Sequence, residues 1–181
     1  MRTQDSHSVT FRFAALREAE LIRAIEYDAA QRFAEIDMVG IASARPMEVE
    51  FVRRKILASE IVIAVDGDAR GVGFVMFVQT PAGCYIEELD VLRAWAGRRI
   101  GAALIERVAE LARAAGAQRL MLSTFRNVPW NAPYYRRLGF SVIATADLDQ
   151  HLRALRAAHM ARGIDESKRV FMWREVSVAP A

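Results

Sequence analysis

The stretch from Glu87 to Phe140 constrains the fold more than any other part of the chain. It reads as a strand, a tight glycine-containing turn, an amphipathic helix and a second strand. It closes with Asn127-Val-Pro-Trp-Asn-Ala-Pro-Tyr-Tyr-Arg-Arg-Leu-Gly-Phe140. The turn, Ala96 to Ala102, falls where a strand becomes a helix. Backbone N–H groups converge at such a junction, and the helix dipole adds partial positive charge there. The turn is therefore expected to hold an anion, a pyrophosphate above all. Tyr135 follows on a short helix after the next strand and brings a phenol to the same region.

The rest of the chain supplies a sheet and its covering helices. Ser8 to Phe13 alternates apolar and polar, as a half-buried strand does. Leu16 to Ile36 carries a helical stripe of Leu21, Ile22, Ile25, Ala29 and Phe33. Ala42 to Pro46 breaks it, and Pro46 is expected to start a second helix with Val49, Val52, Ile56 and Leu57 on one face. Strands are expected over Ile61–Val65, Val72–Gln79 and Cys84–Leu92, with Asp66-Gly67-Asp68 turning between the first two. The helix after the glycine turn should run from about Arg99 to Ala115, burying Ile100, Leu104, Val108, Leu111 and Ala115. A strand over Gln118–Thr124 follows, then a short helix that Asn131 can cap. A strand over Phe140–Ala144, a helix over Asp147–Ala161 and a last strand over Arg169–Val176 complete the chain. This order predicts an α/β chain of the α+β type: a mixed, mostly antiparallel sheet of about seven strands flanked by helices.

At 181 residues the chain fits one domain, 1–181, with residues 84–146 as the part that would hold a ligand. A chain of this length buries roughly 70% of its unfolded surface. No apolar run is long enough to span a membrane, and Met1 to Ser8 carries no apolar export signal. The one cysteine, Cys84, has no partner for an internal disulfide, so a reducing, cytoplasmic setting is expected. The net charge of +3 is too mild to indicate nucleic acid. His7, His151 and His159 show no metal-ligand spacing with Cys84 or with one another, so no metal is expected. Arg93, Arg98 and Arg99 cluster beside the turn, where they read either as a basic edge facing solvent or as support for an anion.

Leu89-Asp90-Val91, the turn Ala96-Gly97-Arg98-Arg99-Ile100-Gly101 and the segment Tyr135-Arg136-Arg137-Leu138-Gly139-Phe140 together resemble the GNAT N-acetyltransferase family. In that family a strand of the form Leu-x-Val precedes a turn of the form Arg/Gln-x-x-Gly-x-Gly/Ala, and Tyr-x-x-Leu-Gly-Phe comes later. The last signature is complete here. Ala96 and Arg99 depart from the turn pattern: Ala96 stands at the basic or amide position and Arg99 at the first glycine. Arg99 either supplies the cation that Ala96 lacks or crowds the loop.

The resemblance implies the acyl-CoA N-acyltransferase fold, with acetyl-CoA or another acyl-CoA as co-substrate. Backbone amides of Gly97, Arg98, Arg99, Ile100, Gly101 and Ala102 would hold the pyrophosphate. Leu89, Asp90 and Val91 would bind the pantetheine arm as an added strand does. Asn127 lies near the position where the family places a cofactor-contacting asparagine, and a turn asparagine is its equal alternative. Tyr135 would protonate the departing thiolate. Glu87 or Glu88 would take the proton of the incoming amine; the two face opposite sides of the strand, and the sequence does not choose between them. The implied reaction is transfer of an acetyl group to a primary amine of a small molecule or peptide. A non-catalytic acyl-CoA-binding or sensing module of the same fold is the alternative. Substrate choice would fall to the first two helices, near Glu35 and Asp37, with Trp130 opposite. A sheet edge near Arg169–Val176 offers one route to a homodimer.

Overall fold

A computed structural model describes residues 8–176. His7 therefore lies outside the described residues. Seven strands form one mixed sheet in the order β1-β2-β3-β4-β5-β7-β6. The strands are β1 (Thr10–Phe13), β2 (Ile61–Val65), β3 (Gly71–Thr80), β4 (Gly83–Val91), β5 (Arg119–Phe125), β6 (Ser141–Val142) and β7 (Arg169–Glu175). The helices are α1 (Ala19–Ala30), α2 (Val39–Ala42), α3 (Val49–Leu57), α4 (Ile100–Ala114), α5 (Ala132–Arg137) and α6 (Gln150–Ala161). The β4–β5 pairing is parallel, while β1–β2, β2–β3, β5–β7 and β6–β7 are antiparallel. The expected element order is recovered, with β2 at its expected bounds. The β-branched run Ile61-Val-Ile-Ala-Val65 accounts for that, and all five residues are buried.

The chain divides into two compact units: residues up to Phe77 with Glu88–Val108, and Val78–Glu87 with the chain from Ala109 onward. One core cluster of the first unit joins Ala19, Ile22, Ile25, Val52, Ile56, Ile61, Phe74 and Met76. The α1 stripe and the Val52–Ile56 pair of α3 supply its helical side. The core of the second unit is Tyr85, Met121, Leu148, Leu152 and Phe171. Asp149 caps α6 there, its carboxylate accepting from the Leu152 N–H at 2.9 Å.

Several boundaries differ from expectation for local reasons. The helical stretch from Leu16 is interrupted: a 3₁₀ turn (Leu16–Glu18), α1, and a 3₁₀ run (Gln31–Ile36) that stops at Asp37, which has φ 60°. The short helix α2 then precedes the break. Pro46 does not open the second helix; α3 begins at Val49, after Glu48 in extended conformation. Leu57 is 70% exposed, against the expected burial. Val49, Val52 and Ile56 share one face, and the 100° step from Ile56 carries Leu57 off it. On α4, Ile100, Leu104 and Val108 are buried as expected, but Leu111 is half-buried and Ala115 lies exposed beyond the helix end. Asn131 takes the cap position of α5 without a side-chain cap bond. The strand expected over Phe140–Ala144 shrinks to β6. Because β6 pairs with β7, the last strand lies inside the sheet order and is not its edge.

Candidate active site

In the first unit, β4 ends at Val91 and the chain passes through a 3₁₀ turn (Arg93–Trp95) into the glycine turn. Asp28 of α1 fixes this entry: its carboxylate accepts from the Arg93 backbone N–H at 2.7 Å and from Arg93 Nε at 3.2 Å. Arg93 is thus engaged by Asp28 rather than standing ready for an anion. Gly97 takes φ 78°, and a Cβ built there would meet nothing within 4 Å. The glycine serves the left-handed backbone, then, and not a crowded contact. Arg99 also takes a left-handed φ, 61°. The guanidinium of Arg98 lies over the Trp95 ring, 4.5 Å from its centroid.

The helix α4 starts immediately after this turn. Its first bond runs from the Ala103 N–H to the Arg99 carbonyl at 3.0 Å. The N–H groups of Ile100, Gly101 and Ala102 precede that bond and have no acceptor within the helix itself, as at any helix N-terminus. With the dipole of a 15-residue helix behind them, they suit a phosphate. The residues present therefore fit the diphosphate of a coenzyme.

On β4, Glu88, Leu89, Asp90 and Val91 belong to the same unit and are half-buried. The pleat puts Glu88 and Asp90 on one face and Leu89 and Val91 on the other. Desolvation pushes the Asp90 carboxyl well above the usual carboxylate range, and the negative charges of Glu88 and Glu26 push it further. Glu26 of α1 is itself raised by burial, opposed by the Met47 N–H, which donates to it at 2.9 Å, and by the charge of Arg23. A Cβ on Gly73 of β3 would lie 2.9 Å from the Asp90 carbonyl oxygen, so glycine permits the close approach of backbone at this point. Glu26 was not among the expected site residues. Its signal was present: it lies four residues after Ile22, an acid on the apolar stripe of α1.

In the second unit, β4 and β5 pair through Cys84, Tyr85 and Ile86 against Leu120, Met121 and Leu122. Glu87 follows directly and is exposed. After β5, Asn127 is exposed in a bend and Trp130 is half-buried. Tyr135 is 8% exposed on α5, its ring edge-on to Tyr134 and Phe140 with centroids 5.6 Å apart in each case. The Phe140 N–H donates to the Tyr135 carbonyl at 3.1 Å. The Tyr-x-x-Leu-Gly-Phe signature is thus one packed turn. His159 is buried beside Glu166, with Nδ1 2.7 Å from Oε1, and its ring stacks on Phe171. Among the described residues no group of three or more His, Cys, Asp or Glu side chains could hold a metal ion. No helix among them is long and apolar enough to cross a membrane.

Residues 6–140 match the model of the acetyltransferase (GNAT) family. The chain belongs to that family, and the match supports acyl transfer as its general chemistry. Solved structures share the fold. The PaiA N-acetyltransferase of Thermoplasma acidophilum, in complex with coenzyme A, aligns with TM-score 0.68 and 15% identity over 93% of this chain and 99% of its own. A GNAT-family acetyltransferase of Listeria monocytogenes aligns with TM-score 0.68 and 15% identity over 96% of this chain and 98% of its own. N-acetylglutamate synthase of Neisseria gonorrhoeae, complexed with coenzyme A and N-acetyl-glutamate, gives TM-score 0.72 and 16% identity over 96% of this chain but only 36% of its own.

Proposed function

We propose that this protein is an acetyl-CoA-dependent N-acetyltransferase acting on a primary amine of a small molecule or peptide. The observation that carries the reading is the Gly97–Ala102 turn: a left-handed, uncrowded glycine feeding a 15-residue helix N-terminus, in a chain of the GNAT family. Coenzyme A in the similar Thermoplasma and Neisseria structures supports the same co-substrate here. We take both units as one N-acetyltransferase domain, since β3 and β4 each run through both and the family match extends over both. Buried Cys84, with no second cysteine to bond, fits a reducing cytoplasmic setting.

The bound thioester supplies the acyl group. The amides of Gly97 to Ala102 hold the diphosphate, and the Leu89–Val91 backbone holds the pantetheine arm, with Asn127 as a further contact. A carboxylate of β4, Glu87 or Glu88, takes a proton from the acceptor ammonium. The half-buried setting of Glu88, beside Asp90 and Glu26, suits a base better than exposed Glu87 does. The amine nitrogen then bonds to the acyl carbon as the carbon–sulfur bond breaks, the Tyr135 hydroxyl protonates the departing sulfur, and the nitrogen's second proton passes to the phenolate left behind. General acid assistance of this kind contributes roughly 10²–10⁴-fold.

Turnover of acetyl-CoA across a panel of primary amines tests this. One or more amines should be acetylated, and Tyr135→Phe should lower kcat by about 10²–10⁴-fold with little change in the KM for acetyl-CoA. The second reading, a non-catalytic acyl-CoA-binding module, is favoured by Arg99 in a left-handed conformation and Ala96 at the turn's first position. Tight coenzyme binding with no acceptor in the panel, unchanged in Tyr135→Phe, would select it.

A further inference from the structure

The outer face of α3 carries a pattern to which the proposed chemistry at Gly97–Ala102, Glu88 and Tyr135 gives no role. Val49, Val52 and Ile56 turn inward, while Glu50, Arg53, Arg54 and Leu57 recur at spacings of three and four on the other side. These four residues, with Leu16 and Arg17, line a cleft of about 440 Å³. All six lie in the first unit. Leu57 is 70% exposed and Leu16 47%, so the cleft shows two large apolar side chains to solvent. These two side chains form a small apolar patch with charged residues around it.

The charges define the partner. Arg53 is paired with Glu50 at 2.7 Å. Arg54 lies over the Phe51 ring at 5.8 Å. Neither Arg17 nor Arg54 has a carboxylate within ion-pair distance among the described residues. The cleft therefore presents apolar side chains beside two cations that form no ion pair among the described residues, Arg17 acting on Glu18 only at longer range. We propose that this cleft docks an acidic amphipathic helix of a partner protein, apolar side chains on Leu16 and Leu57, carboxylates on Arg17 and Arg54. A second copy docking on the same face would bring three arginines, Arg17, Arg53 and Arg54, and one carboxylate, Glu50, against the same net-positive set, which like charge opposes.

Fluorescence anisotropy of the full chain tests this with three labelled peptides. The first is a helical leucine–glutamate peptide with its leucines on one face, the second a lysine-for-glutamate twin, and the third a scrambled peptide of the first one's composition. The first should bind at least about tenfold more tightly than either other, and Leu57→Ser and Arg54→Ala should each weaken it by about tenfold. Affinity should fall as salt rises. Arg153→Ala, an exposed site on α6, should leave it unchanged. Equal binding of the scrambled peptide, or wild-type affinity in both cleft variants, overturns the proposal. So does a Leu57-dependent dimer in sedimentation equilibrium, or Leu57-dependent binding to phosphatidylglycerol vesicles that exceeds binding of the peptide. Because Leu57 is exposed, loss of folding does not confound its substitution, and none of these readouts depends on acetyl transfer.

Discussion

The side-chain amide of Asn131 donates to the Thr124 hydroxyl at 2.7 Å, tying the residue before α5 to β5. Thr124 is 4% exposed, and the Asn131 carbonyl accepts from the Tyr135 N–H at 3.0 Å. The amide that sequence reasoning assigned to capping is thus used across the fold. Thr124→Val would leave a donor without its partner and should cost about 1–3 kcal/mol in urea unfolding. Thr124→Ser, which keeps the hydroxyl, should cost clearly less. A double-mutant cycle with Asn131→Ala should give a coupling of about 0.5–3 kcal/mol; a coupling near zero would show that the bond does not hold α5 in place.

Arg99 holds a left-handed backbone that non-glycine residues adopt at a cost of roughly 1–2 kcal/mol. Arg99→Gly removes that cost but loosens the unfolded chain and removes a cation from the turn. We expect stability to rise by up to about 1 kcal/mol while the KM for acetyl-CoA increases several-fold. Thermal unfolding reads the first effect and steady-state kinetics the second. A lower KM in the variant would mean that the arginine crowds the coenzyme.

Asp90 gives a pH dependence with a definite sign. Its carboxyl titrates above the usual range when folded, through desolvation and then the charges of Glu88 and Glu26. The folded state therefore holds the proton more strongly than the unfolded one. The favourable contribution is complete below about pH 3.9, the unfolded value, and is lost as pH rises through the folded value. Asp90→Asn should raise Tm relative to the parent at neutral and alkaline pH, with the difference vanishing in acid. Each kcal/mol relieved corresponds to about 2–4 °C. Parallel Tm–pH curves for the two proteins would refute this account of Asp90.

Glu18 has the opposite sign. Two bonds from Arg12, at 2.8 and 2.7 Å, and one from the Ala15 N–H at 2.7 Å favour its charged form and lower its pKa, with Arg12 the largest cause. The stabilisation is present above the ordinary glutamate range and is lost as pH falls through the lowered value. Arg12 is 42% exposed at its side chain, so solvent screens the pair. Arg12→Gln should cost about 1 kcal/mol near neutral pH and progressively less in acid, measured by chemical denaturation across pH.

How far the sequence reached follows from which forces were local. The β-branched run of β2 and the tyrosine–glycine–phenylalanine turn are set by their own residues, and both appear where the sequence put them. The start of α3 was misjudged because proline permits a helix start without requiring one. Leu57 was misplaced because four apolar residues were assigned to a face only three of them share. Glu26 stood out as an acid on the α1 stripe, but its grouping with Glu88 and Asp90 was not legible. It depends on α1 and β4 sharing one unit, and no spacing along the chain records that. Arg93 was read either as a solvated basic edge or as support for an anion, and only the fold brings Asp28, 65 residues earlier in the chain, to meet it.

The two-residue strand β6 has a consequence for how the molecule behaves in crowded solution. A long terminal strand is a template onto which any extended chain can be added. Ser141 and Val142 leave room for only a stub of such pairing, so growth of the sheet past β6 has almost nothing to register against. Lengthening that strand would give this edge of the sheet a longer template for pairing between molecules.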